Sequence, residues 1–149
     1  IHLASSLFTP SRSGARCKQF KILSTVQNKF DLFVESYLQT AAWATCEAGE
    51  CQEFTNDGKK IAALHCAKFL NKCHQNGIKR STLLSFAGED LPMLAAHDFF
   101  LTRNGHGAGF WDKENIYGEE LAAKLTEISK EMGESVPFIV RGKKSKLTF

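Results

Sequence analysis

The sequence predicts an α+β domain, a small, largely antiparallel sheet packed against about three main helices, from two apolar stripes and one extended tail. From about Asn28 to Thr45, residues Phe30, Phe33, Val34, Tyr37, Leu38 and Ala41 recur at the i, i+3, i+4, i+7 spacing that gathers them on one helical face. From about Gly58 to Gln75 the stripe is Ala62, Cys66, Phe69, Leu70 and Cys73, with Gly77 placed to end the helix. At the tail, Val136 to Val140, then Gly142, then Lys146 to Phe149 read as a strand with a hairpin return.

In chain order, residues 1–26 show no sustained period, and Pro10, Ser11, Ser13 and Gly14 suggest an irregular N-terminal arm before a single domain over 27–149. The acid-free, Ser- and Arg-containing opening slightly resembles a transit peptide. Cys46 to Cys51 interrupt the first helical pattern, Asn56-Asp57-Gly58 marks a turn, and the two flanking helices should pack antiparallel. Ser81 to Phe86 suit a short helical turn. Asp90 is positioned to cap a short helix through Ala96, with Pro92 tolerated in its first turn. A third main helix runs from about Glu119 to Met132: Leu121, Leu125, Ile128 and Met132 keep the spacing, Glu119 and Glu120 suit the positive end of the helix dipole, and Gly133 ends it.

Composition narrows the class. A chain of 149 residues with 43% hydrophobic and 23% charged residues can bury a core, which excludes wholesale disorder. The net charge of +3 does not by itself demand nucleic acid, but it is unevenly placed. Arg12, Arg16, Lys18, Lys21 and Lys29 precede the first acid, Asp31, and Arg141, Lys143, Lys144 and Lys146 cluster near the end; solvated segments explain both groups equally well. Five cysteines without a regular spacing fit a reducing compartment better than a disulfide framework. No apolar run approaches the roughly 20 residues needed to cross a bilayer. The expectation is a soluble, cytoplasmic protein without a membrane partner.

Reactive side chains and permissive backbone concentrate in one stretch, His97-Asp98-Phe99-Phe100-Leu101-Thr102-Arg103-Asn104-Gly105-His106-Gly107-Ala108-Gly109-Phe110-Trp111-Asp112. It reads as strand, turn, strand: Phe99 and Leu101 to one face, Phe100 and Thr102 to the other, with Asn104-Gly105 as the turn. Gly107 and Gly109 would leave backbone N–H groups open to an anion beside Arg103 and His106. The bland alternative is a glycine-rich hairpin whose polar groups satisfy their own turn. Arg103, Asn104, His106 and Trp111 form the candidate binding set. Phe99, Phe100, Phe110 and Trp111 also suit base stacking, although alternating aromatics more often divide between core and surface.

A metal centre is the rival reading, with His97, Asp98, His106 and Asp112 as candidate ligands for a divalent ion that activates water. Adjacent strand residues point to opposite faces, however, and Asp98 could instead pair with Arg103. Cys46, Cys51, Cys66, Cys73 and His74 invite structural zinc, but their intervals are irregular and Cys66 and Cys73 fall on the buried stripe, where cysteine acts as a small hydrophobe. His65 and His74 read as helix-surface residues. No serine or cysteine occupies a nucleophile elbow, and the glycines do not follow the dinucleotide-binding order. The sequence therefore assigns no catalytic residue and no cofactor.

The 97–112 stretch resembles a family of small proteins of tailed bacteriophages whose members carry a similar His-Asp-Phe-aromatic-Leu-Thr-Arg-Asn-Gly-His-Gly-Ala-Gly-Phe-Trp-Asp pattern. A looser likeness extends upstream to Tyr37-Leu38 and downstream through Leu121 and Leu125; residues 1–26 are not covered. Phe100 departs from the pattern, since many members have Trp there. No activity is attached to that family, so the resemblance implies a phage origin and a host-cell cytoplasmic location rather than a reaction. The resulting expectation is a phage accessory protein that binds a host protein, nucleic acid or a small anionic ligand through a 97–112 hairpin. The alternative is a metal-dependent hydrolase or nuclease using His97, Asp98, His106 and Asp112.

Overall fold

The computed structural model describes residues 14–46, 53–86, 93–142 and 144–149, with side chains from Lys29 onward. In chain order these residues form helices α1 (Gly14–Thr45), α2 (Asn56–Gln75), α3 (Arg80–Leu83) and α4 (Leu94–Arg103), a 3-10 turn (Phe110–Asp112), helices α5 (Glu114–Tyr117) and α6 (Glu119–Glu131), and strands β1 (Phe138–Val140) and β2 (Lys146–Thr148). Among the described residues the chain is mostly helical with one two-stranded antiparallel sheet, so the sheet is smaller and the helices more numerous than the sequence suggested.

The amphipathic stripes pack as the sequence expected. Phe33, Tyr37 and Ala41 of α1 are buried, with Phe30, Val34 and Leu38 against them, and the whole α2 stripe from Ala62 to Cys73 is buried. Leu125 and Ile128 of α6 are buried as well, and Gly133 ends that helix with φ +76°. In the sheet, Phe138 faces Thr148, Ile139 faces Leu147 and Val140 faces Lys146. Leu147 also makes a parallel bridge to Phe54: its N–H donates to the Glu53 carbonyl at 2.9 Å, and its carbonyl accepts from Thr55 N–H at 2.8 Å.

Helix α4 lies at the centre, in contact with α1, α6 and the 3-10 turn. Here the structure corrects the sequence: residues 97–112 are not a hairpin but a helix, a turn and a 3-10 turn. The physical reason is burial on every side. Ala95, Ala96 and the whole run from Asp98 to Arg103 are buried, so this helix has no polar face and leaves no helical period in the sequence. The adjacent aromatics then imitate a strand. Asn104-Gly105 is a helix stop: Gly105 has φ +70°, His106 N–H donates to the Leu101 carbonyl at 3.0 Å, and Gly105 N–H to the Thr102 carbonyl at 3.3 Å, the paired bonds of a Schellman cap.

Other boundaries move too. Helix α1 begins at Gly14, so residues 14–26 are helical where an irregular arm was expected; residues 1–13 lie outside the described residues. The proposed cap at Asp90 and the Pro92 position also lie outside them; α4 is instead preceded by Met93, whose N–H donates to the buried Ser36 hydroxyl of α1 at 3.1 Å. Cys46 is disulfide-bonded, a state that its spacing did not reveal, whereas Cys66 and Cys73 are free and buried. Burial pushes both of those thiols up, Cys73 to about 12, which makes them inert packing residues. Among the described residues, no helix is long and apolar enough to cross a membrane.

Candidate functional site

The helical form of α4 sends its polar residues in separate directions. Asp98 is completely buried; one carboxylate oxygen accepts from the Lys113 ammonium and the other from the Tyr117 hydroxyl at 2.6 Å. Burial first, and then the Asp98 charge, hold the Tyr117 phenol well above its ordinary range, so it stays a donor. His97 turns toward α1, where its Nδ1 lies 3.0 Å from Thr40 Oγ1. The Thr40 hydroxyl already donates to the Ser36 carbonyl at 2.8 Å, so the proton of the His97 contact belongs on Nδ1. Burial lowers the His97 pKa; Asp98 opposes this and Lys113 adds to it.

Arg103 and Asn104 also turn inward, which corrects their expected exposure. Arg103 is 5% exposed; Nε donates to the Gly133 carbonyl at 2.8 Å, Nη1 to the Tyr37 hydroxyl oxygen at 3.1 Å and Nη2 to the Met132 carbonyl at 3.2 Å. Its guanidinium carbon stands 5.2 Å from the centre of the Phe99 ring. Arg103 therefore binds the C-terminal end of α6, where helix carbonyls and the macrodipole favour a cation. Asn104 donates to the Phe100 carbonyl at 3.0 Å and accepts from Ser135 N–H at 2.8 Å.

The glycine loop is similarly occupied by its own chain. Gly109 N–H donates to Asp112 Oδ1 at 2.9 Å, and Phe110 N–H to Thr102 Oγ1 at 3.0 Å. A Cβ on Gly109 would come within 2.3 Å of Thr102 Oγ1, so this glycine permits close packing against α4 rather than an approach to an anion. His106 is exposed, 6.0 Å between ring centres from Phe100. Of the four candidate metal ligands, His97, Asp98 and Asp112 thus serve three separate local contacts. Among the described residues no group of three or more His, Cys, Asp or Glu side chains is placed to hold a metal ion.

Of the candidate binding set, His106 and Trp111 remain accessible. Phe110 is completely buried, stacked 6.1 Å from Phe69 and edge-on to Tyr117 at 5.1 Å, and it fixes the 3-10 turn to the core. The next residue, Trp111, is left 50% exposed on that fixed turn. It borders a groove of about 480 Å³ whose other wall is α6, with Glu119, Ala123, Thr126, Glu127 and Lys130 along it and Glu114 at its side. This wall escaped the sequence reading, which followed the apolar stripe and took Glu119 only as helix-end charge. Residues 119, 123, 126, 127 and 130 nevertheless share the helical spacing of a second face, and that signal could have found them.

No family model matches the chain, and neither the curated proteins nor the solved structures hold a match to it.

Proposed function

We propose that the chain is a binding protein whose contact surface is centred on Trp111 and the adjoining face of α6, and that it acts as an accessory protein of a tailed bacteriophage. One observation carries the binding reading: a large aromatic side chain stands half exposed at the rim of a groove, on a turn that Phe110, Thr102 and Asp112 hold rigid. Such an anchor loses little conformational entropy on binding, which is why tryptophan is enriched among the residues that dominate interfaces. The phage origin rests on the resemblance of residues 97–112 alone. Of the three partner classes the sequence left open, a host protein is favoured. Glu114, Glu119 and Glu127 outnumber Lys130 at the groove, and such a surface repels phosphates and small anions. The hydrolase reading has no supporting observation, because three of its four ligands, His97, Asp98 and Asp112, are held in separate local contacts away from His106.

The test compares the wild-type chain with Trp111→Ala for affinity toward a partner purified from infected cells. The substitution removes an exposed ring, so the circular dichroism and unfolding midpoint should stay near wild type while affinity falls by about tenfold or more. Unchanged affinity in a folded variant would refute this contact surface.

A further inference from the structure

We infer that the groove beside Trp111 takes an arginine side chain presented by a partner protein, an inference that rests on the contact surface proposed above. The first ground is charge: Glu114, Glu119 and Glu127 border the groove, and among the described residues none of the three is in an ion pair. Glu120, on the neighbouring side of α6, is by contrast bound to Lys124 at 3.1 Å, so the helix neutralises a carboxylate outside the groove and leaves those along it available.

Shape is the second ground. The α6 wall carries the small side chains Ala123 and Thr126 between its acids, which leaves room for a flat group to lie alongside the indole. Aromatic faces attract cations, and of the two basic side chains only arginine is planar, stacks on an indole and donates in a fork that suits carboxylates. A lysine would retain the charge but lose the stacking. A nucleic-acid phosphate or a carboxylate ligand would meet three like charges against the single Lys130.

The probe is a fluorescein-labelled Gly-Arg-Gly-Arg-Gly peptide, with fluorescence anisotropy against the whole chain at low salt. Saturable binding is expected. It should weaken by about tenfold in Trp111→Ala and again in the double variant Glu119→Gln with Glu127→Gln, whose solvent-facing changes leave the core intact. Replacing each arginine with citrulline, which keeps the shape without the charge, should abolish it, as should about 1 M salt, where screening acts beyond about 3 Å. Failure of the arginine peptide to bind, equal binding of the citrulline peptide, or indifference to the double variant would overturn the inference. A concentration-dependent dimer lost in Trp111→Ala would also overturn it, in favour of a second copy as the occupant. The two proposals fail separately. A host partner that requires Trp111 yet binds the double variant unchanged ends the arginine inference alone, whereas one that binds Trp111→Ala unchanged ends the contact surface itself.

Discussion

Replacing Arg103 with methionine should cost about 3 kcal/mol of stability, far more than the loss of a surface charge. The guanidinium makes three hydrogen bonds, to the carbonyls of Met132 and Gly133 and to the Tyr37 hydroxyl, and it lies against Phe99. Hydrogen bonds to charged groups contribute about 1.5–3 kcal/mol each, so the gross loss is several kcal/mol. Against this stands the desolvation of a cation that has no carboxylate bonded to it among the described residues, a cost of several kcal/mol that disappears with the charge. The net value stays unfavourable because methionine fills the space but leaves two helix-end carbonyls without their donor. Lysine, which keeps the charge but cannot reproduce the fork, should recover only part of the loss. Removing the acceptor alone, Tyr37→Phe, should cost about 1 kcal/mol, and the Arg103/Tyr37 double-mutant cycle should show coupling of at least about 0.5 kcal/mol. Urea unfolding followed by circular dichroism gives these differences by linear extrapolation. A cost for Arg103→Met below about 1 kcal/mol would show that desolvation cancels the bonds and that this residue does not hold α4 to the end of α6.

Two further predictions concern one buried and one half-buried ionisable group. Lys113→Met leaves the buried Asp98 carboxylate with only the Tyr117 hydroxyl and should destabilise by about 3–5 kcal/mol, whereas Asp98→Asn combined with Lys113→Met should be less harmful than Lys113→Met alone; a double variant that costs the sum of the singles would refute the pairing, as measured by urea unfolding. His65 should make stability fall with acid. Burial, then the positive fields of Arg103 and Lys68, lower its pKa to about 4, below the roughly 6.5 of an unfolded chain. Between those values the unfolded state takes up a proton that the folded state refuses, so the contribution is complete above about pH 6.5 and is lost as the pH drops toward 4. His65→Gln should flatten this part of the urea-midpoint profile; an unchanged slope in the variant would assign the acid sensitivity elsewhere.

The sequence disclosed those parts of the fold in which one face is buried and the other is wet. Phe33, Tyr37 and Ala41 on α1, the stripe on α2 and Leu125 with Ile128 on α6 all repeat at the helical period because their opposite faces meet water. Helix α4 has no such opposite face. Phe99 stacks on Phe69 at 4.0 Å while its neighbour Phe100 meets Tyr37 edge-on at 5.3 Å, so residues on different sides of one helix are equally apolar and the period vanishes. The same centrality explains why the polar residues of the 97–112 stretch were expected at a surface that most of them do not reach. Charged and amide side chains are usually exposed, and by that rule Asp98, Arg103 and Asn104 belong on a surface. What reverses the rule is a set of partners distant in sequence: Tyr117 and Lys113 for Asp98, Tyr37 and Gly133 for Arg103, Ser135 for Asn104. No local spacing encodes those meetings, since each depends on where α1, α5 and the end of α6 come to lie against α4. The polar residues of the 97–112 stretch thus form much of the scaffold's internal bonding, and what that bonding holds outward is chiefly Trp111, the residue on which the proposed contact surface rests. Under that proposal the partner's chemistry is set by α6, of whose acids the sequence reading explained only Glu119 and Glu120, as helix-end charge.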